Sequence, residues 1–308
     1  MSDPEPTWTE ARVRVPNGWH ELVAEALGQA PGNGAVVGET DDPRVWTDDD
    51  AITVRTYLSP AEDGPTSREA LRQRLADLAE RASTPELSGL RIEFRTLASE
   101  EWADSWKQHW KPFRVGPFPI VTPDWSGSFR DGDLPIILEP GRAFGTGRHP
   151  TTRTCLLELA ARLGPGDRVL DAGTGSGILC VAAAKLGAAS CIGFDSHPSA
   201  GSVFERLVRD NAVGSTCEFR EGGFEVVRDS GRFDVVLANI FSDVLQAHAE
   251  DLSRHLAPHG WLAASGCPVA HREPTRGALE KAGLHIEKTE VRGRWCTFLA
   301  RARNRTER

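Results

Sequence analysis

No stretch of the 308-residue sequence approaches the roughly 18 consecutive apolar residues that a membrane-spanning helix needs, so no membrane partner is expected. The opening residues, MSDPEPTWTE, are acidic and have no apolar centre, which argues against a secretory leader. None of the six cysteines (Cys155, Cys180, Cys191, Cys217, Cys267 and Cys296) forms a CxxC pair, and no histidine cluster stands beside them at zinc spacing. No structural metal is therefore expected. Cys180 and Cys191 lie in apolar runs and read as small core residues of a protein from a reducing cytoplasm. Lysine is missing from the first 98 residues, which hold ten Arg against eighteen Asp and Glu, a net charge of −8 that equals the charge of the whole chain. Such a module lacks the cationic surface that phosphate contacts need, so no direct nucleic-acid partner is expected. It suits a basic protein partner instead. Acidic surface that serves only solubility is the plainer reading of the same charge.

What is present is an ordinary globular composition, 39% hydrophobic and 26% charged, at a length that suits about two domains. Residues 8–15 read as a strand and 17–29 as a helix with Asn17 as its N-cap. Residues 34–39 and 51–58 read as strands. TSREALRQRLADLAERA, 66–82, is an amphipathic helix with Leu71, Leu75 and Leu78 on one face, and 90–97 alternates as a strand. The order β-α-β-β-α-β predicts a ferredoxin-like α+β sandwich, a fold that does not identify a function. A connecting segment then begins as a helix at Ser99, with Trp102, Trp106 and Trp110 at steps of four along one side. Burying that helix against a domain is the plainer use of three indoles; an aromatic surface for a substrate is the other. Pro112 and Gly116 make the segment a candidate hinge.

From about residue 149 the pattern alternates strand and helix. Strands are predicted at 167–172, 190–195, 216–220, 232–238, 260–266, 284–290 and 294–302, with helices near 150–163, 176–187, 198–212, 242–256 and 270–282. That is the pattern of a seven-stranded, doubly wound Rossmann-like α/β sheet. The last two strands have no helix between them and should pair as a hairpin, giving one antiparallel edge.

The central motif is RVLDAGTGSGIL, in which an apolar strand ends at Asp171 and Gly173, Gly175 and Gly177 make G-x-G-x-G ahead of a helix starting near Ser176. Glycines permit the tight turn and let a ligand approach the backbone. A dinucleotide site uses G-x-G-x-x-G, one residue longer, to seat a pyrophosphate over the helix N-terminus. Asp195 ends the next strand, where a carboxylate accepts bonds from two ribose hydroxyls. It does not separate the two cofactor classes, since both contain ribose.

Upstream, LPIILEPGRAFGTGRHPTTRTCLLEL carries AFGTG-x-HPTT intact at 143–152. This block resembles the hallmark of the PrmA family, methyltransferases of a large-subunit ribosomal protein. The similarity extends to EEWADSWKQHWKPFRVG, LDAGTGSGIL, DVVLANI and RGRWCTFLARAR, covering about residues 98–302 by motif and the first 98 by architecture. The resemblance implies an S-adenosylmethionine-dependent protein N-methyltransferase acting on lysine or α-amino groups. It implies residues 1–98 as the substrate-recognition domain, 99–130 as linker helix and extended segment, and 131–308 as the catalytic domain. It assigns cofactor contacts to Thr152, Gly173, Asp195 and Asn239. Phe144, Gly145, Thr146 and Gly175 join them by position. Asn239 and the ANIF segment are expected to position the amine, and Phe144 and Phe241 to wall the pocket or equally to serve as core aromatics. The implied partner is a basic ribosomal protein, the location the cytoplasm, and the state a monomer.

Simpler roles exist for each of these residues. Thr151 and Thr152 can begin a helix, Gly145 and Gly147 can be turn residues, and Asn239 can cap the helix near Ser242. His149 reads as a structural hydrogen-bonding residue as readily as a catalytic one, and Asp171 as an orienter of the loop. The sequence departs from the family at Asp195-Ser196-His197-Pro198, where the family usually has D-I-D-P, and at Arg220-Glu221-Gly222-Gly223-Phe224, which lacks the usual Asp and leaves the adenine contacts unassigned. Methyl transfer to lysine needs a neutral amine, and deprotonating a free lysine (pKa about 10.4) at neutral pH costs about 4–5 kcal/mol. A cationic cofactor and a dry pocket lower that cost, and alignment supplies much of the rate. The competing readings are a related methyltransferase with another protein or small-molecule substrate, a nicotinamide oxidoreductase, and a non-enzymatic ribosome-associated module.

Overall fold

A computed structural model describes residues 7–16, 18–28, 35–37, 52–60, 63–82, 84–98, 112–138, 147–198 and 200–303. The chain divides into two compact units, one built from the residues up to Lys111 and one from Pro112–Glu139 and Gly145–Arg308. Asn17, Trp102, Trp106, Trp110, Phe144, Gly145 and Thr146 lie outside the described residues.

The first unit runs β1 (Thr7–Val15), α1 (His20–Gly28), β2 (Ala35–Val37), β3 (Ile52–Leu58), α2 (Pro65–Ala82) and β4 (Glu93–Ala98). Its sheet has the order β2-β3-β1-β4 with antiparallel pairings, as the ferredoxin-like reading requires. Alternation along β1 buries Ala11, Val13 and Val15 and turns Arg12 and Arg14 outward. Helix α2 buries Leu71, Leu75, Leu78 and Ala82, the apolar stripe read from the sequence extended by one turn. Helix α1 begins three residues later than the predicted start at 17.

The second unit opens with a small sheet, β5 (Phe113–Val115), β6 (Phe118–Val121) and β7 (Ile136–Ile137). Gly116, with φ +55°, makes the tight turn between β5 and β6. The residue read as a hinge is thus the tip of a hairpin whose Val115, Phe118 and Ile120 are buried. Burying each such side chain stabilises by about 1.5–3 kcal/mol. Arg114 donates to both carboxylate oxygens of Asp133 at 2.5 and 2.7 Å, tying the loop after β6 back to the hairpin.

The main body follows as α3 (Pro150–Arg162), β8 (Arg168–Ala172), α4 (Ile178–Lys185), β9 (Ser190–Asp195), α5 (Ala200–Asp210), β10 (Cys217–Glu221), β11 (Phe233–Asn239), α6 (Ser242–Ala247), α7 (Ala249–His255), β12 (Leu256–Pro268), α8 (Arg272–Lys281), β13 (Leu284–Arg292) and β14 (Trp295–Ala302). The seven strands lie in the order β10-β9-β8-β11-β12-β14-β13. Pairings from β10 to β12 are parallel, whereas β14 is antiparallel to both neighbours. The antiparallel strand therefore sits second from the edge rather than at it, because the hairpin folds β14 back into the gap between β12 and β13. Leu170, Ala172, Val236, Ala238, Leu262 and Ala264 pack in one buried cluster beneath the helices, as a parallel sheet covered on both faces demands. All six cysteines are free and buried.

Three boundaries differ from the sequence reading. Helix α4 starts at Ile178, two residues late, because Gly177 takes φ +85° and ends the loop. The helix predicted over 242–256 breaks at His248, whose ring stacks on Phe224 at 4.8 Å. Strand β12 begins at Leu256, not at 260, with a register shift before Trp261 on its pairing to β11. Among the described residues no helix is long and apolar enough to cross a membrane.

Candidate functional site

The carboxyl ends of β8, β9 and β11 and the N-terminus of α3 meet along one edge of the sheet. Ligands of open α/β sheets bind at this edge. Helix α3 is started by His149, whose Nδ1 accepts from the Thr151 backbone N–H at 3.3 Å, with Pro150 in the first turn. The N-cap is thus His149, not Thr151 or Thr152. His149 is 1% exposed, and its ring stands edge-on to Trp295, 4.9 Å away.

Fixing the start of α3 places Thr152 on its buried side, fully enclosed. There its hydroxyl accepts from Asn239 Nδ2 at 3.1 Å, across 87 residues of sequence. This bond joins two of the residues implied by the family resemblance. The Asn239 amide is committed to Thr152 through its nitrogen, and its Oδ1 is buried with no hydrogen-bond partner. Asn239 does not cap α6, whose N-cap is Phe241. The next residue, Ile240, is held by its backbone N–H to the Ser265 carbonyl at 3.2 Å.

The glycine loop is shaped by contact as well as by conformation. Gly173 has φ +68°, and a Cβ there would lie 2.2 Å from Cγ2 of Ile240. The Gly173 and Thr174 amides both donate to the Phe194 carbonyl, at 2.9 and 3.0 Å. Gly175 N–H donates to Asp195 Oδ2, and His197 N–H to Asp195 Oδ1, each at 2.9 Å. Asp195 therefore anchors the middle of the loop from the neighbouring strand while staying partly exposed, with lone pairs left for a hydroxylated ligand.

Asp171 differs from Asp195 in almost every respect. It is 1% exposed. Its Oδ2 accepts from Thr174 Oγ1 at 2.6 Å and more weakly from Cys180 Sγ at 3.7 Å, and its Oδ1 is buried without a partner. Burial pushes its carboxyl up to about 7; the Thr174 and Cys180 bonds pull the other way and the Asp195 charge adds to the rise. The loop orientation expected of Asp171 runs through the Thr174 hydroxyl rather than through backbone N–H groups.

In the parallel register Asp171 lies opposite Leu237, so Asp171, Leu237 and Asn239 project from the same face of the sheet. Two buried acceptor oxygens without donors, Asp171 Oδ1 and Asn239 Oδ1, thus share one face at one edge. A buried acceptor left unbonded costs about 1–3 kcal/mol, so both call for a ligand carrying N–H donors or positive charge. Among the described residues no cluster of His, Cys, Asp or Glu suits a metal ion.

The sequence matches the family "Ribosomal protein L11 methyltransferase (PrmA)" over residues 7–303. The chain belongs to this family. It is 37% identical over 301 residues to a ribosomal protein L11 methyltransferase of Geobacter metallireducens, covering 96% of this chain and 98% of that one. It is equally identical over 313 residues to one from Pelotomaculum thermopropionicum, at 37% and the same coverage. A solved ribosomal protein L11 methylase from Lactobacillus delbrueckii subsp. bulgaricus superposes with a TM-score of 0.58 at 28% identity, covering 63% of this chain and all of that one.

Of the residues singled out in the sequence, the structure brings together Thr152, Asn239, Gly173, Gly175 and Asp195. Phe241 stands partly exposed at the start of α6. Ile240, which closes over Gly173, was singled out only as part of the DVVLANI motif, and its contact with the glycine loop carried no signal in the sequence. Gly266 was also missed: it has φ +84°, and a Cβ there would meet the Ile240 carbonyl oxygen at 2.3 Å, so Ile240 is confined from both sides.

Proposed function

We propose that the chain transfers methyl groups from S-adenosylmethionine to amino groups, lysine among them, of ribosomal protein L11. The single observation that carries this reading is the Thr152–Asn239 bond, which leaves Asn239 Oδ1 as a buried acceptor without a partner at the carboxyl end of β11. The relatives named above support the substrate, and the unpaired acceptors support a ligand rich in N–H donors and positive charge. Gly173 and Gly175 are the loop residues that would lie against the cofactor, Asp195 would bind its ribose, and Thr152 and Asn239 would hold its other end. Phe144, Gly145 and Thr146 belong to this set by resemblance.

When bound, the sulfonium supplies a methyl group open to direct attack by a neutral amine. Asn239 Oδ1 accepts one amine N–H and thereby aims the nitrogen lone pair. Burial of the edge disfavours the charged ammonium and so offsets part of the about 4–5 kcal/mol needed to deprotonate lysine at neutral pH. The proton leaves to water, and alignment of the amine supplies much of the rate. The acidic first unit, net −8 over residues 1–98, suits a basic client, and recognition of the client is assigned to it.

The test is incubation of the protein with radiolabelled S-adenosylmethionine and purified ribosomal proteins. Label on L11, mapped to its amines by mass spectrometry, is the expected result. Label confined to small molecules would remove the protein substrate.

A further inference from the structure

We infer that Asp171 is the counter-ion of the cofactor's positive charge and gives up its carboxyl proton to solvent as the cofactor binds. This rests on the cofactor reading above and adds a residue and a proton to it. Asp171 is the penultimate residue of strand β8, just before the glycine loop, is 1% exposed, and has one oxygen with no hydrogen-bond partner. Its other oxygen holds only a hydroxyl and a distant thiol. A carboxylate ion so poorly solvated is costly in a buried site, and the acid form is not. The groups that act on it carry no positive charge: Asp195 from β9, Cys180 from α4 and Thr174 from the loop. Cys155 of α3 and Cys191 of β9 are thiols pushed up partly by Asp171 itself, and β11 presents Leu237. The cluster is therefore short of a cation, which a sulfonium or an ammonium brings.

In the step, the carboxyl O–H bond breaks, its electron pair remains on Asp171, and the proton passes to buffer; nothing is oxidised or reduced. The sign follows from the free form. The free protein keeps the proton below about pH 7, as burial dictates, while the bound form prefers the carboxylate. Affinity is then level above that pH and falls by up to about tenfold per unit below it.

Titration calorimetry of the intact protein with S-adenosylmethionine, in two buffers of different ionisation heat, reads the proton directly. Release approaching a full proton is expected near pH 6 and little near about pH 8. Asp171→Asn removes the release and weakens binding, the residual affinity being read at higher ligand concentration. S-adenosylhomocysteine, which keeps the ammonium and lacks the sulfonium, distinguishes the two charges: release with both ligands assigns the ammonium, release with S-adenosylmethionine alone the sulfonium. Saturable binding to the wild type with no dependence on buffer overturns the inference and leaves the cofactor reading standing. The same release from Asp171→Asn also overturns it. No binding heat in any buffer overturns both. If the variant does not fold, the wild-type pH series alone decides.

Discussion

The two ends of the seven-stranded sheet are built to opposite rules. At the amino end of the strands, a set of exposed polar groups is paired, although the indole N–H of Trp261 is buried there without a partner. Arg168 donates to the carbonyls of Arg232 and Ser230 at 2.9 and 3.0 Å and lies over the Phe233 ring, while its backbone N–H reaches Asp234 at 2.9 Å. Asp167 accepts from the Gly164 amide at 2.8 Å, and Arg232 and Arg301 bond the carbonyls of Leu256 and His259. At the carboxyl end, two acceptor oxygens are buried and unbonded, glycines are pressed against Ile240, and a carboxyl is held near neutrality. Each satisfied bond stabilises by about 1 kcal/mol, and at the second end Asp171 Oδ1 and Asn239 Oδ1 forgo theirs although their neighbours are bonded. An edge that leaves two buried acceptors unbonded is an edge arranged for something that arrives later.

Substitutions at the two ends should therefore separate activity from stability. The largest effect is expected for Gly173→Val. The left-handed backbone costs a branched residue about 1–2 kcal/mol, and the new Cβ strikes Ile240. Affinity for S-adenosylmethionine should fall by more than about a hundredfold, roughly 2.7 kcal/mol, in calorimetry. Wild-type affinity in a folded variant would detach the loop from the ligand. Asn239→Ala should follow, with kcat/KM lowered at least about tenfold, roughly 1.4 kcal/mol, and little change in melting temperature. Unchanged turnover would take Asn239 out of the active site. Asp195→Ala loses the anchors of Gly175 and His197 as well as the ribose acceptors and should weaken cofactor binding about five- to tenfold. A matching dissociation constant would end its ribose role. The smallest effect belongs to the other end: Arg168→Ala should leave kcat/KM untouched and lower stability by at most about 1 kcal/mol in denaturant melts. A loss of turnover there would erase the contrast between the edges.

The strand–helix alternation after residue 149 and the ferredoxin-like order before residue 98 were legible in the sequence, because period and glycine spacing are local. The family resemblance singled out Thr152, Gly173, Asp195 and Asn239, and the structure joins Thr152 to Asn239 by a hydrogen bond. Boundaries differed where the backbone leaves helical geometry: at His248, whose ring stacks on Phe224, and at Gly177, whose left-handed turn delays the helix. Gly116 looked like a hinge until the buried hairpin around it showed a tight turn.

By itself, the sequence determined the periodicities, the glycines and the acidic first module, since each depends only on neighbours along the chain. The tertiary structure decided which polar atoms find partners. The strand register that faces Asp171 with Leu237, and the helix start that seats Thr152 against Asn239, join residues 66 and 87 positions apart. Whether a buried oxygen is bonded or left waiting depends on that juxtaposition, and no local pattern carries it.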